Sequence, residues 1–110
     1  MNQVAAIVEV IKVWTYDSDI KARVRMRRPG YAPPKSEGPF DFVTVVFPGG
    51  RSMRLDIRAG QRLWIAGVLT SRDEDIPLGD ILSDIPSELR ERKIRFNFNE
   101  ILVTAWQDLG

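Results

Sequence analysis

The clearest chemical pattern in the chain is a row of bases at every second position: Lys21, Arg23, Arg25 and Arg27. Arg28 follows directly. On a β-strand this spacing puts the side chains on one face, about 6.6–7 Å apart. That pitch suits the phosphates of an extended polyanion better than one compact phosphate, so the row predicts contacts with a nucleic acid. The competing interpretation is a solvated strand surface that prevents aggregation.

Aromatic side chains accompany the basic row, since Tyr31 and Phe40 follow it across a loop. Aromatic faces stack on nucleobases with little regard to base sequence, a contact worth about 1–3 kcal/mol per base. Phe42 and Phe47 also suit a packed core, so the sequence leaves the role of each ring open.

The three tryptophans differ in their surroundings. Trp64 has the opposite parity to Leu63 and Ile65, which places it either on a binding face or where the sheet closes. Trp14 ends a long apolar stretch, where a groove rim or an interface is expected, and Trp106 suits terminal packing.

Charge is unevenly distributed along the 110 residues, although 16 Lys and Arg almost balance 15 Asp and Glu. Residues 21–72 hold 11 bases and 3 acids, whereas residues 73–110 hold 4 bases and 9 acids. A basic block in a nearly neutral chain is a common footprint of a polyanion site.

Catalytic and metal-binding chemistry finds little support in the composition. Without Cys or His, the chain has no disulfide, no Cys/His zinc site and no His-dependent triad. Asp73, Glu74 and Asp75 are adjacent carboxylates, but neighbours on an exposed turn seldom converge on one ion. Because no nucleophile motif and no phosphate-binding loop occurs either, we expect no enzyme activity, no metal and no cofactor.

Targeting signals are also sparse. No run approaches the roughly 18 apolar residues of a membrane span. The start lacks the basic region and the cleavage site of a signal peptide. The sequence therefore predicts a soluble cytoplasmic protein without a membrane partner.

The elements that must position these residues are mainly strands. Stretches rich in β-branched and aromatic residues, or with apolar and polar residues in alternation, predict strands at 4–16, 20–28, 40–47, 62–72 and 94–106. Residues 51–58 form either a short strand or a connector, and residues 94–106 form either one last strand or a pair divided by a turn near 97–99. Gly67 predicts a bulge or a bend. The first strand is apolar on both parities, so we expect the core on one face and another subunit on the other.

The remaining segments connect the strands. Residues 29–39 are rich in Pro and Gly and predict a long loop. Residues 73–84 are acidic and predict turns, and residues 84–93 carry the only helical signal, with Pro86 in the first turn. These patterns predict a single all-β domain over residues 1–110 with one short helix. An OB-fold, an SH3-like barrel and a Greek-key sandwich are all compatible with them.

Several stretches resemble the bacterial-type single-stranded DNA-binding proteins, which are built on an OB-fold. Asn2-Gln3-Val4 resembles the family's Asn-Arg-Val start, and residues 42–47 resemble its Trp-x-x-Val-Val-x-Phe-Gly strand. Residues 60–72 are similar to its Gly-x(6)-Gly-x-Leu segment, and residues 100–103 resemble its last barrel strand. The resemblance implies a five-stranded Greek-key barrel of the OB type.

The resemblance also implies where DNA would bind. The family's base-stacking aromatics fall on Phe47 and near Phe40 and Tyr31. Its phosphate-contacting bases include Arg25 and Arg51, together with Arg27. With the residues argued above, the candidate nucleic-acid-binding set is Lys21, Arg23, Arg25, Arg27, Arg28, Tyr31, Phe40, Phe47, Arg51 and Trp64.

Departures from the family concern site size and partners. Asp73, Glu74 and Asp75 stand where the family has an aromatic residue, and the helix between strands three and four is reduced to residues 51–58. The family's flexible tail with an acidic tip is missing, so recruitment of other proteins through a tail is not expected. First strands pair across subunits in the family, which implies a homodimer or a homotetramer.

The predicted function is binding of single-stranded DNA without strong sequence preference, in replication, recombination or repair at the nucleoid. One alternative is a protein-interaction adaptor of a replication or restart complex, because exposed tryptophans also dock proteins. Another is single-stranded RNA binding, because stacking tolerates both sugars.

Overall fold

Five strands form the body of the protein in this computed structural model, which describes residues 2–110. They are β1 (Val4–Tyr16), β2 (Asp19–Arg27), β3 (Phe40–Phe47), β4 (Arg62–Pro77) and β5 (Lys93–Asp108). Hydrogen-bonded neighbours close a barrel in the order β1-β2-β3-β5-β4. β3 and β5 are parallel and the other neighbours antiparallel. This connectivity is that of an OB-fold, which confirms the predicted fold class.

Alternation along the strands fills the barrel with aliphatic side chains. Ala22 and Val24 of β2 are fully buried, as are Leu63 and Ile65 of β4. Branched side chains suit these positions because they pack well on a pleated surface. The intervening positions of β2 carry the bases, as the alternating sequence predicts.

Register shifts bend the strands into the barrel. The pairing of β1 with β2 shifts between Val10 and Lys12, and that of β4 with β5 shifts between Ala66 and Gly67. A side chain at Gly67 would collide with the carbonyl oxygen of Leu102, so this position needs glycine. The irregularity predicted at Gly67 is therefore confirmed.

β4 and β5 stay paired beyond the barrel. β4 runs through residues 73–77, so the turns predicted there are wrong. β5 runs through residues 97–99 without a break, which selects the single last strand over the divided one. Arg95 of β5 lies 3.2 Å from Asp75 of β4, and such cross-strand pairs make an acidic stretch tolerable in a strand. We call residues 73–97, which include the connection between the two strands, the arm.

The connection within the arm contains no α-helix. Its helical geometry is limited to 3₁₀ turns at Leu78–Asp80 and Ser87–Leu89, so the helix predicted over residues 84–93 is wrong. Neither turn buries a residue, and a short helix without packing is marginal in water.

The other connections match the sequence more closely. Residues 28–39 join β2 to β3 without regular secondary structure, as expected for the loop. Residues 51–58 form turns and an extended stretch, so they are a connector, from which Ile57 joins the core. Among residues 2–110, no helix is long and apolar enough to cross a membrane.

Candidate nucleic-acid interface

The bases of β2 lie on the outer surface of the barrel, beside residues of the two neighbouring strands. Lys21 is the register partner of Trp14 on β1, and Arg23 is the partner of Thr44 on β3. Arg23 is exposed and donates a hydrogen bond to Oγ1 of Thr44 at 3.3 Å. The barrel therefore sets each of these bases next to an aromatic or a polar side chain of another strand.

An open groove of about 480 Å³ runs along this surface. Its volume lies within the range of ligand sites, roughly 300–1,000 Å³. It is lined by aromatic rings, basic side chains and one acidic side chain. We call these residues the groove: Trp14, Tyr16, Phe42, Phe98, Lys21, Arg23, Arg72 and Glu100.

Two cations of the groove lie over its rings. Nζ of Lys21 is 4.7 Å from the centroid of the Tyr16 ring, and the Arg72 guanidinium is 5.4 Å from that of Phe98. These distances are in the range of cation–π attraction, which holds each charge beside its ring. One face of each ring is therefore occupied by a cation, and a nucleotide stacked on the other face would bring its phosphate close to that cation.

Glu100 supplies the one carboxylate among the basic side chains of the groove. Its Oε2 pairs with Lys21 at 2.9 Å, and its Oε1 lies 3.4 Å from Nε of Arg72. The pair accounts for the burial of Lys21, because a buried charge needs a partner of opposite sign. Arg23 pairs with no carboxylate among residues 2–110, so its charge is the most available in the groove.

Arg25 and Phe40 lie beside the groove and contact each other. The Arg25 guanidinium is 4.2 Å from the Phe40 ring centroid and pairs with Glu9 at 3.1 Å. One face of the Phe40 ring is therefore occupied by a cation. A base could stack on Phe40 only after Arg25 moves or on the other face of the ring.

Asp41 forms ion pairs with two basic side chains at the loop between β2 and β3. Arg28 lies 2.7 Å and Lys35 3.2 Å from its Oδ1. Hydrogen bonds from Arg28 and Lys35 hold the pKa of Asp41 below its ordinary value of 3.8. Arg28 also donates to the carbonyl of Pro33 at 2.8 Å, so it organises the loop.

The remaining predicted residues are dispersed. Arg27 is exposed at the end of β2, and Arg51 donates to a backbone carbonyl of the β1–β2 turn at 3.2 Å. Tyr31 is 92% exposed in the loop of residues 28–39. Trp64 lies on the β1–β4 side of the barrel. None of these four lines the groove.

Phe47 requires a correction. We expected it to stack on DNA, but it is 1% exposed, and its ring meets Trp106 edge-to-face at 5.9 Å. Phe47 shares the inward parity of Val45, whereas Phe42 has the outward parity and lies in the groove. The packing role expected for Trp106 is also observed, since it lies against the core.

Sequence reasoning missed several groove residues. Tyr16 and Phe42 could have been found, because each has the same strand parity as a polar or basic residue of the outer surface. Arg72 and Phe98 meet only because β4 and β5 pair in one register. No local signal in the sequence predicts that contact.

The acids of the arm do not converge on a common point. Glu74 alternates with Asp73 and Asp75 along β4, so it projects to the opposite face of the strand. Arg72 lies 3.6 Å from Glu74. In the part of the chain that the structure describes, no group of three His, Cys, Asp or Glu could hold a metal ion.

Comparisons with known proteins identify the fold and not the sequence family. No protein-family model matches the chain, and no curated protein matches it. The single-stranded DNA-binding protein of Plasmodium falciparum, solved with single-stranded DNA, has a TM-score of 0.60 at 12% identity over 100% of this chain and 96% of its own. The mitochondrial single-stranded DNA-binding protein of S. cerevisiae has a TM-score of 0.55 at 7% identity, over 98% of this chain and 94% of its own.

A third structure of similar fold is the dimeric N-terminal domain of PriB from Thermoanaerobacter tencongensis. Its TM-score is 0.50 at 11% identity, over 99% of this chain and 97% of that domain. At such identities the shared property is the fold. The chain thus has the OB-fold that is found in single-stranded DNA-binding proteins, and the resemblance seen in the sequence is confirmed at the level of the fold.

Proposed function

We propose that the groove binds single-stranded DNA without strong sequence preference. The observation that carries the proposal is one open groove on the outer surface of the barrel that is lined by four aromatic rings and three basic side chains. The similar Plasmodium falciparum protein is solved with single-stranded DNA, which supports this class of ligand.

The rings favour a single strand over a duplex. Bases of a single strand can be splayed out and stacked on side chains, whereas those of a duplex are stacked on each other. Trp14, Tyr16, Phe42 and Phe98 offer such surfaces within one groove. Stacking on them is tolerant of sequence because every base has a π-face.

The basic side chains of the groove and of β2 supply the attraction for phosphates. Arg23 has no paired carboxylate among residues 2–110, and Arg27 is exposed farther along β2. Each phosphate neutralised by such a side chain releases counterions, so affinity should fall with salt by a log–log slope of roughly −0.7 per phosphate.

We further propose that residues 1–110 act as a single domain that forms a homodimer or a homotetramer through β1. Ile7 of β1 and Trp64 of β4 are register partners on the surface, and Ile7 is 53% exposed. Adjacent exposed apolar side chains mark an interaction surface. In sedimentation equilibrium, Ile7→Lys should give a smaller species than the wild-type chain.

Binding of this kind would serve replication, recombination or repair at the nucleoid, in the cytoplasm. A second candidate function is that of a protein-interaction adaptor, which the exposed Ile81 and Leu82 of the arm favour. An adaptor would bind DNA weakly and a protein partner with little dependence on salt.

The test is titration of the intrinsic tryptophan fluorescence with oligo(dT) at several salt concentrations, and with duplex DNA of equal length. Strong quenching by the single strand, weakened by salt and much smaller for the duplex, is the expected result. No response at low salt would contradict the proposal. Parallel titration with oligo(rU) separates DNA from RNA.

A matched variant assigns the signal to the groove. Trp14 lines the groove, whereas Trp64 lies outside it and Trp106 packs on the core. Trp14→Phe should therefore remove most of the quenching while fluorescence anisotropy of a labelled strand still reports binding. Trp64→Phe should leave the quenching in place.

A further inference from the structure

We propose that Glu100 makes the groove prefer bases with an exocyclic amino group, cytosine above all, over thymine and uracil. The inference rests on the proposed binding of single-stranded nucleic acid in the groove. It adds a moderate preference for base type to a site that otherwise stacks any base.

The register of the sheet brings the Glu100 carboxylate next to the stacking rings. β3 and β5 run parallel with Thr44 opposite Glu100. Phe42 precedes Thr44 by two residues and Phe98 precedes Glu100 by two, so both rings lie on the same surface, about 7 Å along the strands. A base that stacks on either ring therefore turns an edge towards the carboxylate.

The Glu100 carboxylate retains capacity for another hydrogen bond. Its Oε2 accepts from Nζ of Lys21 at 2.9 Å. Its Oε1 lies 3.4 Å from Nε of Arg72 and accepts no hydrogen bond from residues 2–110. The side chain is only 13% exposed and that exposure is towards the groove, so a nucleobase bound there can donate to Oε1 beside Arg72.

The chemistry of an ionised carboxylate then discriminates between bases, because it accepts hydrogen bonds and donates none. The N4 amino group of cytosine donates to it, and this is an established pairing in protein–nucleic acid contacts. The O4 atom of thymine or uracil is an acceptor at the same position of the ring. Two acceptors facing each other without a donor between them are unfavourable.

Glu9 is a natural control for this role. Like Glu100, it pairs with a basic residue of β2, in this case Arg25 at 3.1 Å. It does not line the groove. Glu9→Gln and Glu100→Gln each remove one negative charge beside the basic row, but only the latter removes a carboxylate from the groove.

The experiment compares oligo(dC) with oligo(dU) of equal length by competition anisotropy, at mildly alkaline pH where cytosine N3 is unprotonated. We expect the wild-type protein to bind oligo(dC) about fivefold more tightly, a modest part of the discrimination that a good base contact provides. Glu100→Gln should bring the ratio close to one, because an amide can donate to O4 as well as accept from N4. Glu9→Gln should tighten both complexes and leave the ratio unchanged.

A second measurement does not depend on how well the Glu100 variant folds. An oligonucleotide of N4,N4-dimethylcytosine cannot donate from N4, so the wild-type protein should bind it no better than oligo(dU). Equal binding of oligo(dC) and oligo(dU), or a ratio unchanged in Glu100→Gln, would overturn the base preference and leave single-stranded binding intact. Binding of neither strand at low salt would overturn both proposals.

Discussion

The groove and the arm are built from the same two strands but offer opposite surfaces. Arg72 of β4 faces Phe98 of β5, and the pair lines the groove. One side-chain step farther along, Glu74 faces Phe96 and the pair lies on the arm. A phenylalanine is present at both places, half-buried at Phe98 and exposed at Phe96. The sign of the charge beside the ring therefore distinguishes the surface proposed to bind DNA from the surface of the arm.

Packing separates the two regions as well. In the barrel, the inner side of β4 is filled by Leu63 and Ile65, which hold the outer side chains in place. In the arm, residues 73–75 are all exposed, so no core lies behind them. Groove side chains of β2 therefore project from a strand backed by the buried Ala22 and Val24, whereas those of the arm project from a two-stranded ribbon, which is marginally stable by itself.

The largest expected effect concerns stability. Gly67→Ala in the barrel should lower the free energy of unfolding by about 3 kcal/mol, because the new methyl group collides with the Leu102 carbonyl. Gly79→Ala in the arm places a methyl group 3.1 Å from Cβ and 3.2 Å from the carbonyl oxygen of Arg90. This approach is less close, and the turn buries no residue and can shift, so the loss should stay below about 1 kcal/mol. Urea denaturation followed by circular dichroism measures both. Equal losses would contradict the difference in packing.

Next in size is the loss of a stacking ring. Phe42→Ala should weaken binding of oligo(dT) about tenfold, within the energy range of one base–aromatic stack. Phe96→Ala is the matched change on the arm, and the two side chains have similar exposure, 44% and 37%. Anisotropy titrations of both variants give the comparison. A similar loss for Phe96→Ala would extend the binding surface onto the arm.

A smaller effect on binding is expected when a single basic side chain is removed. Arg23→Ala should weaken binding about threefold to tenfold at low salt and flatten the log–log salt slope by roughly 0.7. Arg95→Ala on the arm removes a base that pairs with Asp75 at 3.2 Å, and it should leave the slope unchanged. Titrations over a series of salt concentrations provide both slopes. If the two variants behave alike, the basic row serves solubility.

The smallest effect concerns acid stability at the edge of the groove surface. Since the pKa of Asp41 is lowered in the folded protein, its ionised form stabilises the fold fully above the ordinary value of 3.8. That contribution is lost as the pH falls through the lower folded-state pKa. Asp41→Asn lacks it at every pH, so the small difference in melting temperature from wild type should shrink in acid. A difference independent of pH would exclude the charge contacts as its cause.

Much of the barrel follows from local sequence patterns. The alternation in β2 predicts which side chains enter the core, and Ala22 and Val24 do so. Gly67 predicts the irregularity in β4, because a glycine inside a strand marks a bulge or a close approach. These inferences succeed because the pattern itself reports the environment of each residue.

The errors occur where the outcome depends on a partner distant in sequence. Residues 73–77 read as turns because acidic residues disfavour strands, and their pairing with residues 93–97 overrides that preference. The helical signal near Pro86 fails because no surface is available to pack against the segment. A correct prediction in each case requires knowing which residues pair with the segment or pack against it.

The candidate site divides along the same line. Composition and spacing alone predict an all-β chain without cysteine or histidine. They also predict a row of basic residues on one strand face, with aromatic residues near it. Strand parity places Phe42 and Phe47 on opposite sides of β3, and the closed barrel shows that the side of Phe42 lines the groove and that of Phe47 the core. The contacts of Arg72 with Phe98 and of Glu100 with Lys21 depend on the pairing of strands far apart in sequence. Strand parity is a local property that any reader of the chain can count, whereas register arises only when the whole barrel closes.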